Sequence, residues 1–282
     1  MIQTRFEFDT ATALDKGRRA YQEDAVIADF FAGSDLGLVV LSDGMGGHAA
    51  GDVASNIVVA EVHATLTRKE HSLTAGQAPV ARDLQAAAMA ANAKLRAHVM
   101  THPETRGMGA TLVATAIVNG ALYWISIGDS ALLLFRDGEL TQLNEDHSMA
   151  PQIDFMADAG LLTPQQAENH PDRNTLTSAL CGDDISKIDC PEQPMPLRQN
   201  DILLVASDGL QFLATRDLHD TVRNLHEAPS ASIARHLMAQ VTAVDDPNLD
   251  NISLSVIKVT HAPDAVAPPP ANPQEALSDL PA

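Results

Sequence analysis

Apolar positions along this chain follow several periods, and each period predicts a different element. Residues 38–42 read LVVLS, an apolar run that stops at Asp43 and opens into the glycine-rich DGMGGHAAGDVAS. A short apolar run bounded by turn residues reads as a buried strand. Beyond it Ala54, Val58, Val62 and Leu66 recur every fourth residue, and Leu84, Ala88, Ala91, Leu95 and Val99 step by three or four. Each series forms one apolar helix face, so two long helices are predicted side by side. Residues 109–143, GATLVATAIVNGALYWISIGDSALLLFRDGELTQL, are β-rich, with Asn119-Gly120 and Asp137-Gly138 each parting two runs. Those dipeptides predict tight hairpins and an antiparallel meander.

Residues 149–173 hold helix-like patches, MAPQIDFMADAG and TPQQAENH, among Pro, Asp and Asn, and predict a helical excursion on the surface. A buried strand DILLVAS follows at 201–207, Ile233, Leu237 and Val241 mark another helix face, and ISLSVIKV from 252 is a last strand. Strands, helices, a meander, then helices and strands again do not alternate as βαβ, so the predicted class is a layered α+β fold. From residue 263 the sequence PDAVAPPPANPQEALSDLPA holds six of the 16 prolines and almost no large apolar side chains. Such a composition cannot bury enough surface to order itself. The expected organisation is one folded domain over 1–261 and a disordered tail over 262–282.

Lys and Arg total 18 against 37 Asp and Glu, a net charge of −19. That balance argues against nucleic acid or an anionic membrane as partner and suits cation sites. No apolar run approaches the ~20 residues that span a bilayer, and no N-terminal signal region is present, so a soluble, cytoplasmic and monomeric protein is expected. Cys181 and Cys190 are too few for a disulfide framework and read as ordinary reduced thiols.

Gly44, Gly46 and Ala49 satisfy the permissive dinucleotide fingerprint G-x-G-x-x-A. That reading needs a second strand after the helix and an acid ~20 residues beyond the glycines to hold the ribose. Here VVAEVHATLTRKEHSL continues as helix into a polar loop, and Asp43 would repel the pyrophosphate. No Lys-Ser or Lys-Thr follows the glycines, which excludes a Walker loop.

The more informative feature is a repetition. VVLSDGMGG at 39–47 recurs chemically as LLVASDGLQ at 203–211, two buried strands that end in Ser-Asp-Gly. Asp129 follows a meander strand in WISIGDS, and Asp250 precedes the final strand in NLDNISLSVI. Singly, each fits a plain turn. Together, aspartates at one edge of packed sheets repel unless a cation lies between them, and oxygen-only ligands select Mg²⁺ or Mn²⁺ over Zn²⁺. Arg19, four residues before Glu23 and five before Asp24, adds a fork that can grip phosphate beside acids that can join a metal cluster. The arrangement suits metal-assisted phosphoester hydrolysis.

At this point the chain resembles the protein phosphatase 2C family, the metal-dependent Ser/Thr phosphatases also called PPM, in its compact bacterial form. The resemblance runs over about residues 4–260 through RRAYQEDAV, DGMGGHAAGDVAS, GATLVATAIV, IGDS, EDHS, LTSALCG, SDGL and DNIS, in that order. It implies a sandwich of two antiparallel sheets flanked by helix pairs, a four-layer αββα, with a dinuclear Mn²⁺ or Mg²⁺ site at one end. By resemblance, Asp43 bridges both metals, the Gly44 carbonyl binds one, Asp208 and Asp250 complete the ligands of the first metal, and Glu23 supports the second, directly or through water. Asp24 orients metal-bound waters, Asp129 holds a third, weaker ion with Asp208, and Arg19 binds the substrate phosphate.

The chain departs from the family pattern at several places. Met45 stands where eukaryotic members carry a His considered as the acid for the leaving alcohol, so His48, His147 and a metal-bound water remain candidates for that role. Ala131, Gln22 and Ser178 replace a usual Arg, Asn and Arg, but no metal carboxylate is lost. The implied activity is hydrolysis of phosphoserine and phosphothreonine in proteins by direct attack of a metal-bridging hydroxide, without a phosphoenzyme. The implied partners are phosphorylated Ser/Thr proteins and a cognate bacterial Ser/Thr kinase. The alternative is a phosphoprotein-binding regulatory module of the same fold with little or no turnover. An aspartyl-phosphate route would need a D-x-D-x-T strand end, which the sequence does not contain.

Overall fold

The computed structural model describes residues 6–30, 34, 36–46, 50–76 and 79–261. The expected tail over 262–282 and the candidate His48 lie outside the described residues. In chain order the strands and helices are β1 (Glu7–Asp15), β2 (Asp24–Phe30), β3 (Leu36–Met45), α1 (Ala50–Thr67), α2 (Glu70–Thr74), α3 (Val80–Thr101), β4 (Gly109–Ala110) and β5 (Leu112–Val118). There follow β6 (Ala121–Ile127), β7 (Ala131–Arg136), β8 (Glu139–Gln142), α4 (Ala150–Asp158), α5 (Pro164–Glu168), β9 (Met195–Pro196), β10 (Ile202–Ala206), α6 (Thr215–Asn224), α7 (Ser230–Thr242) and β11 (Ile252–His261).

Two antiparallel sheets form the centre. One runs β1-β11-β10-β7-β8, and the other runs β2-β3-β5-β6-β9 with β4 beside the end of β3. The strands are apolar on both faces because each sheet is covered twice. On β3, Leu38 and Val40 pack with α1 and α3, whereas Val39 and Leu41 face the other sheet alongside Leu203, Val205, Ile257 and Val259. On the opposite outer face Leu204, Leu254 and Val256 pack against Leu218 and Val222 of α6 and Ile233 and Leu237 of α7. Fully burying each such side chain contributes about 1.5–3 kcal/mol. The layers are therefore helices, sheet, sheet, helices, as the resemblance implies.

Local chemistry fixes the turns. Asn119 and Gly120 sit at φ 51° and 77°, and Asp137 and Gly138 at 53° and 87°. Positive φ at both central residues is the hairpin turn that Asn-Gly and Asp-Gly favour. In the surface excursion α5 opens on a capping box, with the Thr163 side chain accepting from the Gln166 N–H, the Gln166 side chain accepting from the Thr163 N–H, and Pro164 in the first turn. The edge strand β1 was not marked by periodicity. Its residues are half-buried and alternate weakly, and its place is set by pairing along β11 from Asp15↔Ile252 onward.

The topology brings six chain segments to one end of the sandwich. Asp24 opens β2 opposite Asp43 near the close of β3, and Leu112 opens β5 opposite Ile127 at the close of β6. In the other sheet Ala131 at the start of β7 pairs with Ala206 at the close of β10, which pairs with Leu254 near the start of β11. The three-residue turn from β6 to β7 crosses between the sheets at this end. No helix among the described residues is long and apolar enough to cross a membrane.

Candidate metal centre

Six acidic residues, Glu23, Asp24, Asp43, Asp129, Asp208 and Asp250, come from the segments that meet at this end. Asp43 lies inside β3, two residues before its close, rather than in the following turn. Asp208 begins a short 3-10 turn after β10, Asp129 occupies the β6–β7 turn, and Asp250 immediately precedes Asn251 and β11.

Packing four of these carboxyl groups together in a partly dry end has a measurable consequence. Burial and the charges of Asp24, Asp208, Asp129 and Asp250 push Asp43 well above the ordinary carboxylate range. Burial pushes Asp24 up to about 7, against the hydrogen bond it accepts from Ser207. Burial and then the charge of Asp208 push Asp129 up to about 7. Asp208 rises to about 6 through burial and the charge of Asp250, pulled partly back by the neighbouring Asp43 carboxyl and by Arg19. Carboxyl groups sharing one site ionise together only at a cost.

A frame of neutral groups sets their positions. The Asp43 N–H donates to Thr111 Oγ1 at 2.9 Å, the Thr111 N–H returns to the Asp43 carbonyl at 2.8 Å, and Thr111 Oγ1 shares a hydrogen bond with Ser130 Oγ at 2.9 Å. Ser207 Oγ donates to Asp24 at 2.7 Å and accepts from the Ser253 N–H at 2.9 Å. Asn251 accepts from the Glu23 N–H at 2.7 Å and donates to the carbonyls of Lys16 and Tyr21, both at 2.9 Å. Glycines allow the close approach. A Cβ on Gly44 would strike the Gly51 carbonyl of α1, and one on Gly51 would strike Glu23 Oε1. Arg19 stands at the rim with its side chain half-exposed and donates to Asp250 at 2.5 Å.

Three of the acid oxygens, Glu23 Oε1, Asp24 Oδ1 and Asp208 Oδ1, are buried without a hydrogen-bond partner. Buried carboxylate oxygens without a partner match the needs of a hard divalent cation. Among the described residues no group of three or more His, Cys, Asp or Glu side chains stands, as placed, in an arrangement that could hold a metal ion. As placed, Asp250 turns outward to pair with Arg19 at the rim.

Every metal and phosphate candidate named from the sequence is thus at this end, while the candidate acid His48 lies outside the described residues. His147 is buried behind the β6–β7 turn, with its ring on the backbone of Gly128. The departures have local employment. Gln22 accepts from the Asp24 N–H at 3.2 Å and donates to the Asp15 carbonyl, while Ser178 bridges Lys187 through a donor and an acceptor contact. Ala131 pairs with Ala206 on β10. Ser207, Asn251, Thr111 and Ser130 were not singled out by sequence reasoning. Each adjoins a named aspartate or its partner strand, and only non-local pairing gives it a role.

Comparison with known proteins follows the same line. The family model for protein phosphatase 2C matches residues 16–245. The serine/threonine protein phosphatase PstP of Mycobacterium tuberculosis is 34% identical over 251 residues, which cover 88% of this chain and 44% of PstP. The chain therefore spans less than half the length of that relative. The protein phosphatase PhpP of Streptococcus pneumoniae is 31% identical over 225 residues, 79% of this chain and 85% of PhpP. The crystal structure of the catalytic domain of PstP in complex with two manganese ions superposes with a TM-score of 0.68 at 30% identity, covering 90% of this chain and 99% of that one. With the motif order, the αββα layers and the matched family model in agreement, the chain belongs to the protein phosphatase 2C family.

Proposed function

We propose that this protein is a metal-dependent phosphatase of phosphoserine and phosphothreonine in proteins. The observation that carries the reading is the cluster of six acids at one end of the sandwich, three of whose oxygens are buried and unpartnered. Asp43, Asp208, Asp250, Glu23 and the Gly44 carbonyl are the proposed ligands of two Mn²⁺ or Mg²⁺ ions, with Asp24 orienting water and Asp129 adding a third, weaker site beside Asp208. When bound, such ions lower the pKa of water toward neutrality and offset charge on a phosphoryl group.

The chain's own residues prepare that chemistry. Ser207 and the β2–β3 register hold Asp24 beside Asp43, where a carboxylate can accept a proton from water. Asn251 fixes the Glu23 segment, and Thr111 fixes Asp43. Arg19 pairs with Asp250 across a half-exposed contact, and exposed ion pairs are worth about 0–1 kcal/mol. An incoming phosphate dianion can displace that pairing and take both arms of the guanidinium. Hydrolysis is proposed to be direct, without a phosphoenzyme, and the proposed partner is a cognate bacterial Ser/Thr kinase whose products this enzyme reverses.

Full retention of the six acids favours turnover over the binding-module alternative, because loss of a ligand would be the simplest route to an inert relative. Hydrolysis of p-nitrophenyl phosphate with Mn²⁺ tests the assignment. Activity is expected in the parent protein and its loss in Asp208→Asn and Asp250→Asn. Retained activity in both variants contradicts the ligand assignment, and an inert parent favours the binding module.

A further inference from the structure

His147 belongs to the EDHS stretch, is all but fully buried, and has no part in the chemistry proposed above. Its backbone and its ring hold the same residue. The His147 N–H donates to the Gly128 carbonyl at 3.0 Å, and the Gly128 N–H donates back to ring Nδ1 at 3.3 Å. A ring nitrogen that accepts keeps its lone pair, which assigns the proton to Nε2. Nε2 is buried without a hydrogen-bond partner, and the nearest charge is Glu145 Oε2 at 3.7 Å. A buried donor left unmet is unfavourable. The ring therefore keeps this orientation for what Nδ1 does, not for what Nε2 gains.

Gly128 is one side of a short frame. It sits at φ +105°, where a Cβ would lie 2.6 Å from Thr111 Cγ2. Two residues on, Ser130 Oγ is tied to Thr111 Oγ1 at 2.9 Å, and Thr111 Oγ1 also accepts the Asp43 N–H. Asp129 is thus the residue between two anchored neighbours, Gly128 on His147 and Ser130 on Thr111. The other side of His147 faces the surface excursion. Its carbonyl accepts from Thr177 N–H at 2.7 Å and from Thr177 Oγ1 at 2.8 Å, and the Met149 N–H donates to the Thr175 carbonyl at 3.0 Å. The two feet of the excursion that carries α4 and α5 therefore close on residue 147.

We propose that His147 is a positioning residue, which clamps the Gly128–Ser130 turn and so the Asp129 carboxylate to the base of the α4–α5 excursion. The proposal rests on the assignment of Asp129 to the metal centre. It gives the histidine of EDHS a task other than general acid: its ring contacts the backbone behind the cluster instead of facing the reacting groups.

His147→Leu fills similar space without an acceptor, and His147→Asn keeps one, Oδ1, close to where Nδ1 sits. Amide exchange at Gly128, read in the metal-free protein, reports the clamp itself. It is expected to accelerate about tenfold or more in His147→Leu and to return most of the way to the parent value in His147→Asn. Mn²⁺ titration is expected to show the weakest site loosened about tenfold in His147→Leu, restored in His147→Asn, and not loosened further when His147→Leu is added to Asp129→Asn. Unchanged Gly128 exchange in His147→Leu, equal behaviour of the Leu and Asn variants, or fully multiplicative losses with Asp129→Asn overturn the positioning role. An Asp129→Asn variant that binds Mn²⁺ like the parent overturns the assignment of Asp129 on which the proposal rests.

Discussion

Asp24 and Asp43 are cross-strand partners in the β2–β3 pair, two carboxyl groups set opposite each other on one face of the sheet. Like charges in that relation destabilise a sheet. Here a third acid, Asp208, stands against them: burial and then the charges of Asp208 and Asp250 push Asp24 upward in pKa, and burial and then the charges of Asp24 and Asp208 push Asp43 upward. A pairing so unfavourable in isolation suits a site that would hold a cation, and its consequences can be measured.

The first consequence concerns pH. Asp24 and Asp129 titrate near 7 when folded and near 3.8 when unfolded, so between those values the folded metal-free chain holds more protons than the unfolded one. Stability from these groups is complete below about pH 4 and declines as pH rises through about 7. One unit of pKa shift is about 1.4 kcal/mol, or about 3–6 °C in Tm for a domain of this size. In chelator, Tm is expected to fall by at least that from about pH 5.5 to about pH 8, and saturating Mn²⁺ is expected to raise Tm more at the higher pH. A Tm that climbs over this range in chelator contradicts the account.

Removing one of the opposed charges separates stability from function. Asp43→Asn removes a carboxyl group that burial and the charges of Asp24, Asp208 and Asp129 hold well above its ordinary range, and is expected to raise the metal-free Tm near neutral pH. The same substitution removes the proposed bridging ligand, so phosphatase activity is expected to fall by about 100-fold or more. Calorimetry in chelator and Mn²⁺-dependent turnover read the two effects. Movement of both in the same direction would argue for a merely structural Asp43.

Asn251 provides a complementary case. It makes three hydrogen bonds that tie the Glu23 and Lys16–Tyr21 segments to the start of β11. Asn251→Leu leaves buried backbone groups unmet, at about 1–3 kcal/mol, and frees Glu23. Chemical denaturation is expected to show that loss, and Mn²⁺ affinity to drop about 10–100-fold.

At Arg19 the effect should appear in KM. The side chain is half-exposed and, among the described residues, pairs directly with Asp250, so Arg19→Ala is expected to leave stability within about 0.5 kcal/mol. It is expected to raise KM for phosphopeptide more than it lowers kcat. Arg19→Lys is expected to recover little, because an ammonium lacks the planar fork. A pure kcat loss would place Arg19 in the chemical step instead.

Much of this molecule was legible in its sequence where the cause is local. The hairpins follow from Asn119-Gly120 and Asp137-Gly138, the helices α1 and α3 from their apolar spacing, and the acidic cluster from the repeated Ser-Asp-Gly. What could not be read depends on pairing across long stretches of chain. Ser207 meets Asp24 across 183 positions and Asn251 meets Glu23 across 228, and no periodicity encodes such contacts. The strand β1 shares this cause, since an edge strand with half-buried positions is defined by β11 and not by its own pattern.

The central claim is metal-dependent hydrolysis of phosphoserine and phosphothreonine at the six-acid end of the sandwich. Dephosphorylation of matched phosphothreonine, phosphoserine and phosphotyrosine peptides, measured in Mn²⁺, in Mg²⁺ and in chelator, tests it most directly. The account predicts turnover of the phosphothreonine and phosphoserine peptides with a divalent ion and none in chelator. Preference for phosphotyrosine, or turnover indifferent to chelation, would contradict it.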